Sequence, residues 1–288
     1  MRVLVTGATG QLGSDFCELA EHNGLEVLKP TRAEFDLEQG GDDIRRTITQ
    51  SQADWVVNCA AYTDVDKAEY EADRAFKINR DAVRAIAQAV SDTGGRLMHI
   101  STDFVFNGYQ HTPYTENDHA EPLNVYGKSK LEGERAAFEA CPQTLLLRIG
   151  WIYGVRGHNF VKTILRFAAE RDELRVVDDQ YGSPSWTRDI AGAMLALIRN
   201  ACEGVYHFSN EGIASRFDLA VAIVDIAKHL GAELRITRII PVASEDYHTP
   251  ARRPLYSVLS KSKIRPVLKQ EIPHWRTSLK KMLGEVYS

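Results

Sequence analysis

Short apolar runs alternate with longer stretches of helical pattern along the first half of the chain. The apolar runs are rich in valine, isoleucine and leucine, and each is short enough to be a strand buried on both faces of a sheet. Several of the longer stretches end on glycine, as helix C-termini often do. This alternation predicts βαβ units and a parallel sheet, with strands at residues 2–6, 25–29, 55–58, 97–101 and 145–149 and helices at residues 12–22, 42–50, 73–93 and 125–140.

The alternation becomes less regular after about residue 150, and no internal repeat of fixed period is visible. We predict helices at residues 160–169, 189–200 and 217–230 and strands at residues 174–177, 205–208 and 234–239. The fold class is therefore α/β, with a Rossmann-like doubly wound parallel sheet. We expect residues 1–150 to form the main domain, to which later segments return, and residues 151–288 to form mainly a smaller mixed C-terminal lobe.

Composition and charge narrow the class of protein. The chain has 288 residues, of which 44% are hydrophobic and 26% charged, and its formal net charge is −4. Such a balance gives no bulk positive field for nucleic acid or an anionic membrane. Because there is no signal-peptide pattern and no long apolar stretch, we expect a cytoplasmic protein. The four cysteines lack C-x-x-C spacing, so neither a disulfide framework nor a zinc site is indicated.

A glycine-rich turn joins the first predicted strand to the first predicted helix. Gly7, Gly10 and Gly13 have the spacing G-x-x-G-x-x-G. Glycines here let the backbone approach a pyrophosphate, and the free N–H groups at the helix start point toward its charge. A purely structural turn is the alternative. The position at the start of a βαβ series instead favours a dinucleotide-binding domain, which we expect to comprise residues 1–150.

The end of the second predicted strand bears on cofactor choice. An acidic residue that binds the ribose of NAD is normally expected there, but this sequence has Lys29-Pro30-Thr31-Arg32. An arginine suits a 2′-phosphate, so Arg32 favours NADP(H). Glu34 and Asp36 lie close by and leave NAD(H) open, and a solvated surface charge is the structural alternative for Arg32.

A tyrosine and a lysine lie four residues apart on a predicted helix. Tyr126 and Lys130 therefore share one face, where the ammonium is expected to lower the pKa of the phenol toward the working range. Ser101 and Thr102 end a predicted central strand, at the edge where open α/β sheets bind ligands. We predict that Thr102 and Tyr126 polarise a substrate carbonyl, whereas Ser101 faces the cofactor. For Tyr126 and Lys130 the alternative is a pair on the protein surface. For Ser101 and Thr102 it is a strand end at which polar side chains satisfy the backbone.

Eight segments resemble the extended short-chain dehydrogenase/reductase family, and the likeness covers nearly the whole chain. The segments are residues 7–13, 60–69, 101–106, 122–130, 148–153, 159–163, 178–184 and 251–254. The first and fourth mark the superfamily, and the others point to a branch that reduces keto sugars linked to a nucleotide. The resemblance thus implies that residues 151–288 bind a nucleotide-sugar substrate.

The resemblance implies roles for individual residues. Thr102, Tyr126 and Lys130 would be catalytic. Candidate cofactor-binding residues are Gly7, Gly10, Gln11, Leu12, Gly13, Arg32, Asp36, Leu37, Ala60, Ala61, Tyr62, Asn79, Ser101, Tyr126 and Lys130. Candidate substrate-binding residues are Val65, Asp103 and Trp151, to which we add Lys162 and Arg253 because the diphosphate of such a substrate needs cations. Trp151 as a core residue and Asn79 as a structural residue are the main alternatives.

The implied reaction is reduction of the 4-keto group of dTDP-4-dehydro-L-rhamnose to dTDP-L-rhamnose, with Tyr126 as the proton donor. Some family members join two subunits through a divalent cation held by acidic side chains, and the corresponding positions here are Asp15, Arg188 and Glu285. Because a hard cation requires oxygen ligands, Arg188 argues against such a site. We therefore predict no metal, and leave a homodimer open.

Two rival functions remain. A reductase of another nucleotide-linked keto sugar would have the same glycines, tyrosine and lysine, because substrate choice depends on the C-terminal lobe. A non-catalytic NADP-binding regulatory subunit is the second. The presence of Thr102, Tyr126 and Lys130 together argues against the second, since a structural subunit does not need them.

Overall fold

The computed structural model describes residues 1–287. Its strands are β1 (Arg2–Thr6), β2 (Glu26–Leu28), β3 (Trp55–Asn58), β4 (Arg96–Thr102), β5 (Leu145–Ile149), β6 (Ile152–Tyr153), β7 (Glu173–Val177), β8 (Tyr181–Gly182), β9 (Ser185–Trp186), β10 (Gly204–Phe208), β11 (Ala214–Ser215) and β12 (Arg238–Val242). Its α-helices are α1 (Gln11–His22), α2 (Gly41–Ser51), α3 (Val65–Ala68), α4 (Ala72–Phe76), α5 (Ala82–Thr93), α6 (Val125–Ala140), α7 (Phe160–Glu170), α8 (Thr187–Arg199), α9 (Arg216–His229) and α10 (Trp275–Tyr287).

Six parallel strands form the central sheet, in the order β10-β5-β4-β3-β1-β2. Every residue of β3 and of β5 is buried, as their continuous apolar runs predict for strands covered on both faces. The chain order reverses beside β1, which leaves a crevice at the carboxyl ends of the strands. The expected Rossmann-like α/β fold is confirmed.

Helices cover both faces of this sheet. On one face α1 and α8 pack together, with Phe16 and Met194 in a core shared with the strands. On the other face α2, α5 and α6 pack together, with Ile44 and Ile86 fully buried. Burial of such side chains contributes on the order of 2 kcal/mol each. The two faces thus hold the ends of β1, β3 and β4 in fixed positions.

The long helix predicted at residues 73–93 is interrupted. A π-helical turn, Lys77–Asp81, separates α4 from α5. At this turn the carbonyl of Asn79 approaches α6 so closely that a Cβ added at Gly133 would lie 2.0 Å from the carbonyl oxygen. Glycine is therefore required where α6 packs against the turn, and no local periodicity encodes that contact.

The second half of the chain builds another core around α7, α9 and α10, in which Trp275, Met282, Ile223 and Val161 are buried. In this lobe β7 pairs in parallel with β12. The strand predicted at residues 234–239 begins only at Arg238, because the amide of Ile236 bonds instead to the end of α7, at Ala168. The sequence analysis did not predict α10.

The C-terminal half also contributes a strand to the central sheet. The strand β10 leaves the C-terminal half and joins the edge of the central sheet beside β5. Within residues 1–287, no helix is both long enough and apolar enough to cross a membrane.

Candidate functional site

Two cavities meet at the carboxyl ends of β1, β3 and β4. The outer cleft has a volume of about 420 Å³ and the inner cavity about 650 Å³. Both are lined by Gly7, Thr9, Ala60, Ala61 and Thr63. The outer cleft adds, among others, Arg32, Asp36, Leu37, Glu38, Tyr62, Lys67 and Arg74. The inner cavity adds, among others, Gly10, Gln11, Leu12, Gly13, Val65, Ser101, Thr102, Asp103, Tyr126, Lys130, Trp151 and Arg216.

The glycine turn packs closely against neighbouring backbone. Gly7 has a φ of +65°, and a Cβ there would lie 2.8 Å from the amide nitrogen of Ala60. A Cβ at Gly13 would lie 2.2 Å from the carbonyl oxygen of Gly7. The N-terminus of α1 has no side-chain cap, so its free N–H groups are available to an anion. The turn therefore fits a dinucleotide pyrophosphate.

Gln11, at the start of α1, links the turn to the C-terminal lobe. Its side-chain NH₂ group donates to the carbonyl of His158 at 3.0 Å, and its side-chain oxygen accepts from the side-chain NH₂ group of Asn159 at 2.8 Å. The two halves of the chain thus meet across the inner cavity beside the glycine turn.

Arg32 is exposed at the rim of the outer cleft, where it pairs with Glu38 at 2.8 Å and approaches Asp36 at 4.0 Å. Glu38 is also bound by Arg74, and hydrogen bonding from Arg74 holds the pKa of Glu38 below its ordinary value. Since exposed ion pairs are weak, a phosphate can compete for both guanidinium groups. The sequence analysis missed Arg74, because it comes from α4, distant from the second strand.

Tyr126, Lys130 and Thr102 converge on the inner cavity. The side chain of Asn124 caps α6 by accepting from the amide of Gly127 at 2.8 Å, which fixes the first turn of that helix. The ring of Tyr126 packs edge-on against Phe104, with centroids 5.9 Å apart. The structure therefore brings together the three side chains that the sequence analysis selected as catalytic.

The pKa of Tyr126 moves in the direction opposite to the sequence-based expectation. Burial raises it to about 12, and a hydrogen bond with Thr102 opposes the rise. The ammonium of Lys130 does not offset the burial, because it donates instead to the carbonyl of Ile100 at 2.7 Å. At neutral pH the phenol is therefore protonated, which is the state of a proton donor.

Lys130 is 2% exposed. Burial lowers its pKa to about 8, while the nearby carboxylate of Glu134 opposes the shift. Glu134 itself forms a buried ion pair with Arg148 at 2.6 Å. Lys130 therefore titrates close to neutrality.

A chain of hydrogen bonds reaches from the C-terminal lobe to Thr102. The indole of Trp151 donates to Ser257 at 3.3 Å, and Ser257 donates to Asp103 at 2.5 Å. The hydroxyl of Thr102 donates to the other oxygen of Asp103 at 3.2 Å. Burial raises the pKa of Asp103 to about 6 in spite of these donors. The backbone of Trp151 has a φ of +51°, an uncommon value for a residue other than glycine.

Other predicted site residues make contacts within the protein. The side-chain amide of Asn79 accepts from the amide of Tyr62 at 2.9 Å and donates to Ser129 at 2.9 Å, which is the structural alternative foreseen for it. Ser101 lines the inner cavity, but its hydroxyl donates to Glu134 at 2.5 Å. Val65 lines the same cavity.

Neither predicted diphosphate-binding cation lines the inner cavity. The ammonium of Lys162 donates to the carbonyls of Val155 and Gly157, at 2.9 and 3.1 Å. Arg253 lies in a separate surface pocket and forms a two-pronged pair with Asp66. Besides Lys130, the inner cavity is lined by the cation Arg216, which was not predicted because no motif surrounds it.

Asp15, Arg188 and Glu285, which correspond to the cation site of some family members, form ion pairs or hydrogen bonds within the protein. Asp15 accepts from Thr187 at 2.5 Å and pairs with Arg156 at 3.4 Å. Arg188 pairs with Glu285 at 2.5 Å. Within residues 1–287, no cluster of three His, Cys, Asp or Glu side chains is suited to hold a metal ion.

Known proteins resemble this chain along its whole length. The chain matches the protein family described as the RmlD substrate binding domain over residues 1–288. It is 40% identical to the spore coat polysaccharide biosynthesis protein SpsK of Bacillus subtilis, with 99% of this chain and 97% of that protein covered. It is 39% identical to dTDP-4-dehydrorhamnose reductase of Burkholderia thailandensis, with 96% of each covered.

A crystal structure of dTDP-4-dehydrorhamnose reductase from Bacillus anthracis, in complex with NADP, superimposes with a TM-score of 0.93. The two chains are 34% identical, and the match covers 99% of each. The likeness therefore extends over both the central sheet and the second lobe. On these matches, the chain belongs to the RmlD substrate-binding-domain family.

Proposed function

We propose that this protein is an NADPH-dependent dTDP-4-dehydrorhamnose reductase, which reduces the 4-keto group of dTDP-4-dehydro-L-rhamnose to give dTDP-L-rhamnose. The observation that carries the proposal is the convergence of Thr102, Tyr126 and Lys130 on one cavity that also contains the glycine turn. The names of the Burkholderia and Bacillus anthracis relatives support the substrate, and the NADP complex of the latter supports the cofactor.

The residues at the turn fit a dinucleotide. Gly7 and Gly13 pack against neighbouring backbone too closely to admit a side chain, which fixes the turn, and the uncapped start of α1 suits a pyrophosphate. Ala60, Ala61 and Leu37 supply apolar walls. Bound NADPH would supply the hydride for the 4-keto carbon.

The catalytic side chains would act on the oxygen of that carbonyl. The phenol of Tyr126, kept protonated by burial, donates its proton to the developing alkoxide. Thr102 stabilises the same oxygen by a hydrogen bond. Lys130 contributes positive charge beside the phenol while it is protonated. Without substrate the hydroxyl of Thr102 donates to Asp103, and its proton would turn from Asp103 to the carbonyl oxygen when the sugar is bound.

We propose that NADPH is preferred over NADH because two guanidinium groups flank the outer cleft. Arg32 and Arg74 share the carboxylate of Glu38, and a 2′-phosphate could replace that carboxylate as the partner of either. Asp36 lines the same cleft and can bind the unsubstituted ribose of NADH, so we expect NADH to bind as well, but less tightly.

We further propose a cytoplasmic enzyme whose partner is a small nucleotide sugar. Its four cysteines are unpaired, as in proteins of reducing compartments. The net charge of −4 gives no general attraction to nucleic acid or to anionic membranes. A homodimer remains compatible with these properties, and it would not need a metal bridge through Arg188.

A direct assay tests the proposed reaction. The purified protein is mixed with NADPH and enzymatically prepared dTDP-4-dehydro-L-rhamnose, and the absorbance of the reduced nicotinamide is followed. We expect a fall in absorbance and formation of dTDP-L-rhamnose, identified by mass spectrometry. Other nucleotide-linked keto sugars are assayed in parallel. Turnover of one of them without turnover of the dTDP sugar would indicate the rival reductase, and absence of turnover with all would favour a regulatory subunit.

A further inference from the structure

Arg216 presents an unpaired guanidinium group to the inner cavity. It is the first residue of α9, and its side chain is partly buried in the cavity wall. The guanidinium carbon lies 3.5 Å from the centroid of the Trp151 ring and 5.3 Å from that of Phe160. Among residues 1–287, neither a hydrogen bond nor a salt bridge reaches this guanidinium. Its N–H groups therefore remain available to a ligand.

The carboxylate that acts on this cation does so without a hydrogen bond or ion pair to it. Asp103 attracts Arg216 electrostatically, but its two carboxyl oxygens accept from Thr102 and Ser257 instead. Burial lowers the pKa of Arg216 to about 10, which still leaves it protonated at neutral pH. The positive charge of Arg253 also acts on it. A partly buried cation without a bound acid favours an anionic ligand.

The platform beneath the guanidinium is rigid. A Cβ at Gly182 would lie 2.2 Å from the indole nitrogen of Trp151, so the backbone of β8 packs directly against the ring. The same indole nitrogen donates to Ser257. A planar guanidinium stacked on a fixed ring keeps its N–H groups in one plane, the geometry that suits two phosphate oxygens.

We propose that Arg216 binds the diphosphate of the nucleotide-sugar substrate and so selects a nucleoside-diphosphate sugar over an uncharged one. This inference rests on the proposed function and adds a substrate-binding residue to it. Arg216 enters the cavity from the C-terminal lobe beside Trp151, whereas the cofactor pyrophosphate is expected at the glycine turn of the other domain. The two other candidates, Lys162 and Arg253, already bind protein acceptors.

The test compares Arg216→Gln, Arg216→Lys and the control Arg235→Gln. Arg235 is an exposed residue of the same lobe, paired with Asp172 away from both cavities. Calorimetric titrations use dTDP and NADP⁺ as probes, and kinetics use the dTDP keto sugar. For Arg216→Gln we expect dTDP affinity to fall about 10- to 100-fold and KM for the sugar to rise similarly, since a charge-assisted hydrogen bond to phosphate is lost. The kcat should change much less.

The other arms decide what a loss of affinity means. Affinity for NADP⁺ should be unchanged in all variants, Arg216→Lys should recover part of the dTDP affinity, and Arg235→Gln should behave as wild type. Unchanged dTDP affinity in Arg216→Gln would overturn the inference, and so would an equal loss for NADP⁺. If Arg216→Gln does not fold, Arg216→Lys takes its place. A lower affinity of Arg216→Lys for dTDP with unchanged affinity for NADP⁺ would support the role of Arg216, and unchanged affinity for both would overturn it.

Failure of the proposed function would look different. A wild-type protein that does not reduce the dTDP sugar, yet binds a nucleoside diphosphate in an Arg216-dependent manner, would refute the reductase assignment and leave the anion site intact. If the wild-type protein reduces the sugar and the Arg216 variants bind dTDP as tightly as it does, the reductase assignment would stand and the role of Arg216 would be refuted.

Discussion

The ammonium nitrogen of Lys130 lies 3.4 Å from Nε2 of His99, and the far side of the imidazole decides which atom bears the ring proton. The side-chain oxygen of Asn58 accepts from Thr6 and from the amide of Ala60, so its NH₂ group donates to Nδ1 of His99 at 3.1 Å. In the neutral ring the proton is therefore on Nε2 and faces Lys130. Two donors face each other whenever Lys130 is protonated, which favours its neutral amine.

Replacement of His99 by leucine should raise the pKa of Lys130. Burial is retained in this variant, but the opposing N–H group is lost. In the native enzyme we expect kcat/KM to decline above a pH of about 8, where Lys130 loses its proton. In His99→Leu this decline should begin at higher pH, which a pH–rate profile measures. The control is His207→Gln, another buried histidine, and an unshifted profile in His99→Leu would contradict the proposed coupling.

Replacement of Tyr126 by phenylalanine should reduce turnover by about 100-fold or more, because the proton donor is lost while the ring still packs against Phe104. NADPH affinity, measured by fluorescence titration, should remain close to the native value. Turnover at the wild-type rate would show that another group donates the proton.

Replacement of Arg32 or Arg74 by alanine should weaken NADPH binding by about 10-fold and leave NADH binding nearly unchanged, since only NADPH carries the 2′-phosphate. Separate titrations with the two cofactors measure the difference. A useful comparison is Arg45→Ala, which removes an exposed arginine paired with Asp92 outside the cleft. Equal losses for NADPH and NADH would argue against phosphate recognition.

The protein should lose stability on mild acidification. Burial, together with the charge of Arg148, lowers the pKa of His207 to about 3. The unfolded chain takes up this proton first, so the stability present above about pH 6.5 is lost as pH falls from 6.5 toward 3, by roughly 1.4 kcal/mol per pH unit. Asp103 acts in the opposite sense below about pH 6, because its pKa is raised.

Urea unfolding at several pH values measures this slope. His207→Gln should reduce it, since one buried proton acceptor is removed. His99, whose pKa burial also lowers, contributes in the same direction and remains in that variant. A slope unaffected by His207→Gln would assign the acid sensitivity to other groups.

Chelation should not change the oligomeric state. Arg188 places a positive charge beside Glu285, where a hard cation would need another oxygen ligand. Size-exclusion chromatography coupled to light scattering, with and without EDTA, should give the same mass. Dissociation on addition of EDTA would indicate a metal-dependent interface after all.

The sequence was most informative where local pattern and chemistry coincide. The strand at residues 145–149 has the predicted bounds because five consecutive residues suit burial on both faces of a parallel sheet. The one-turn spacing of Tyr126 and Lys130 likewise brings both to one cavity. Their catalytic roles, and those of the other site residues, stay predictions until the variants are measured.

Features that depend on contacts between distant parts of the chain could not be predicted from local sequence pattern. The availability of Arg216 follows from its stacking on Trp151, 65 positions earlier, and from the use of the oxygens of Asp103 by other donors. The pKa of Tyr126 rises instead of falling, because helical spacing predicts proximity to an ammonium but not the burial that opposes it. Local periodicity also does not encode the π-helical turn before α5, whose Asn79 carbonyl contacts α6 at Gly133.

The contact between Asn79 and Gly133 restricts position 133 to glycine. A methyl group at position 133 would force α6 away from the π-helical turn, and α6 carries the ammonium of Lys130 one turn earlier and the phenol of Tyr126 two turns earlier. The absence of a single side chain, remote from the reacting atoms, thus sets how deeply the catalytic helix is seated. Even alanine at this position should misalign the catalytic groups while every one of them is still present.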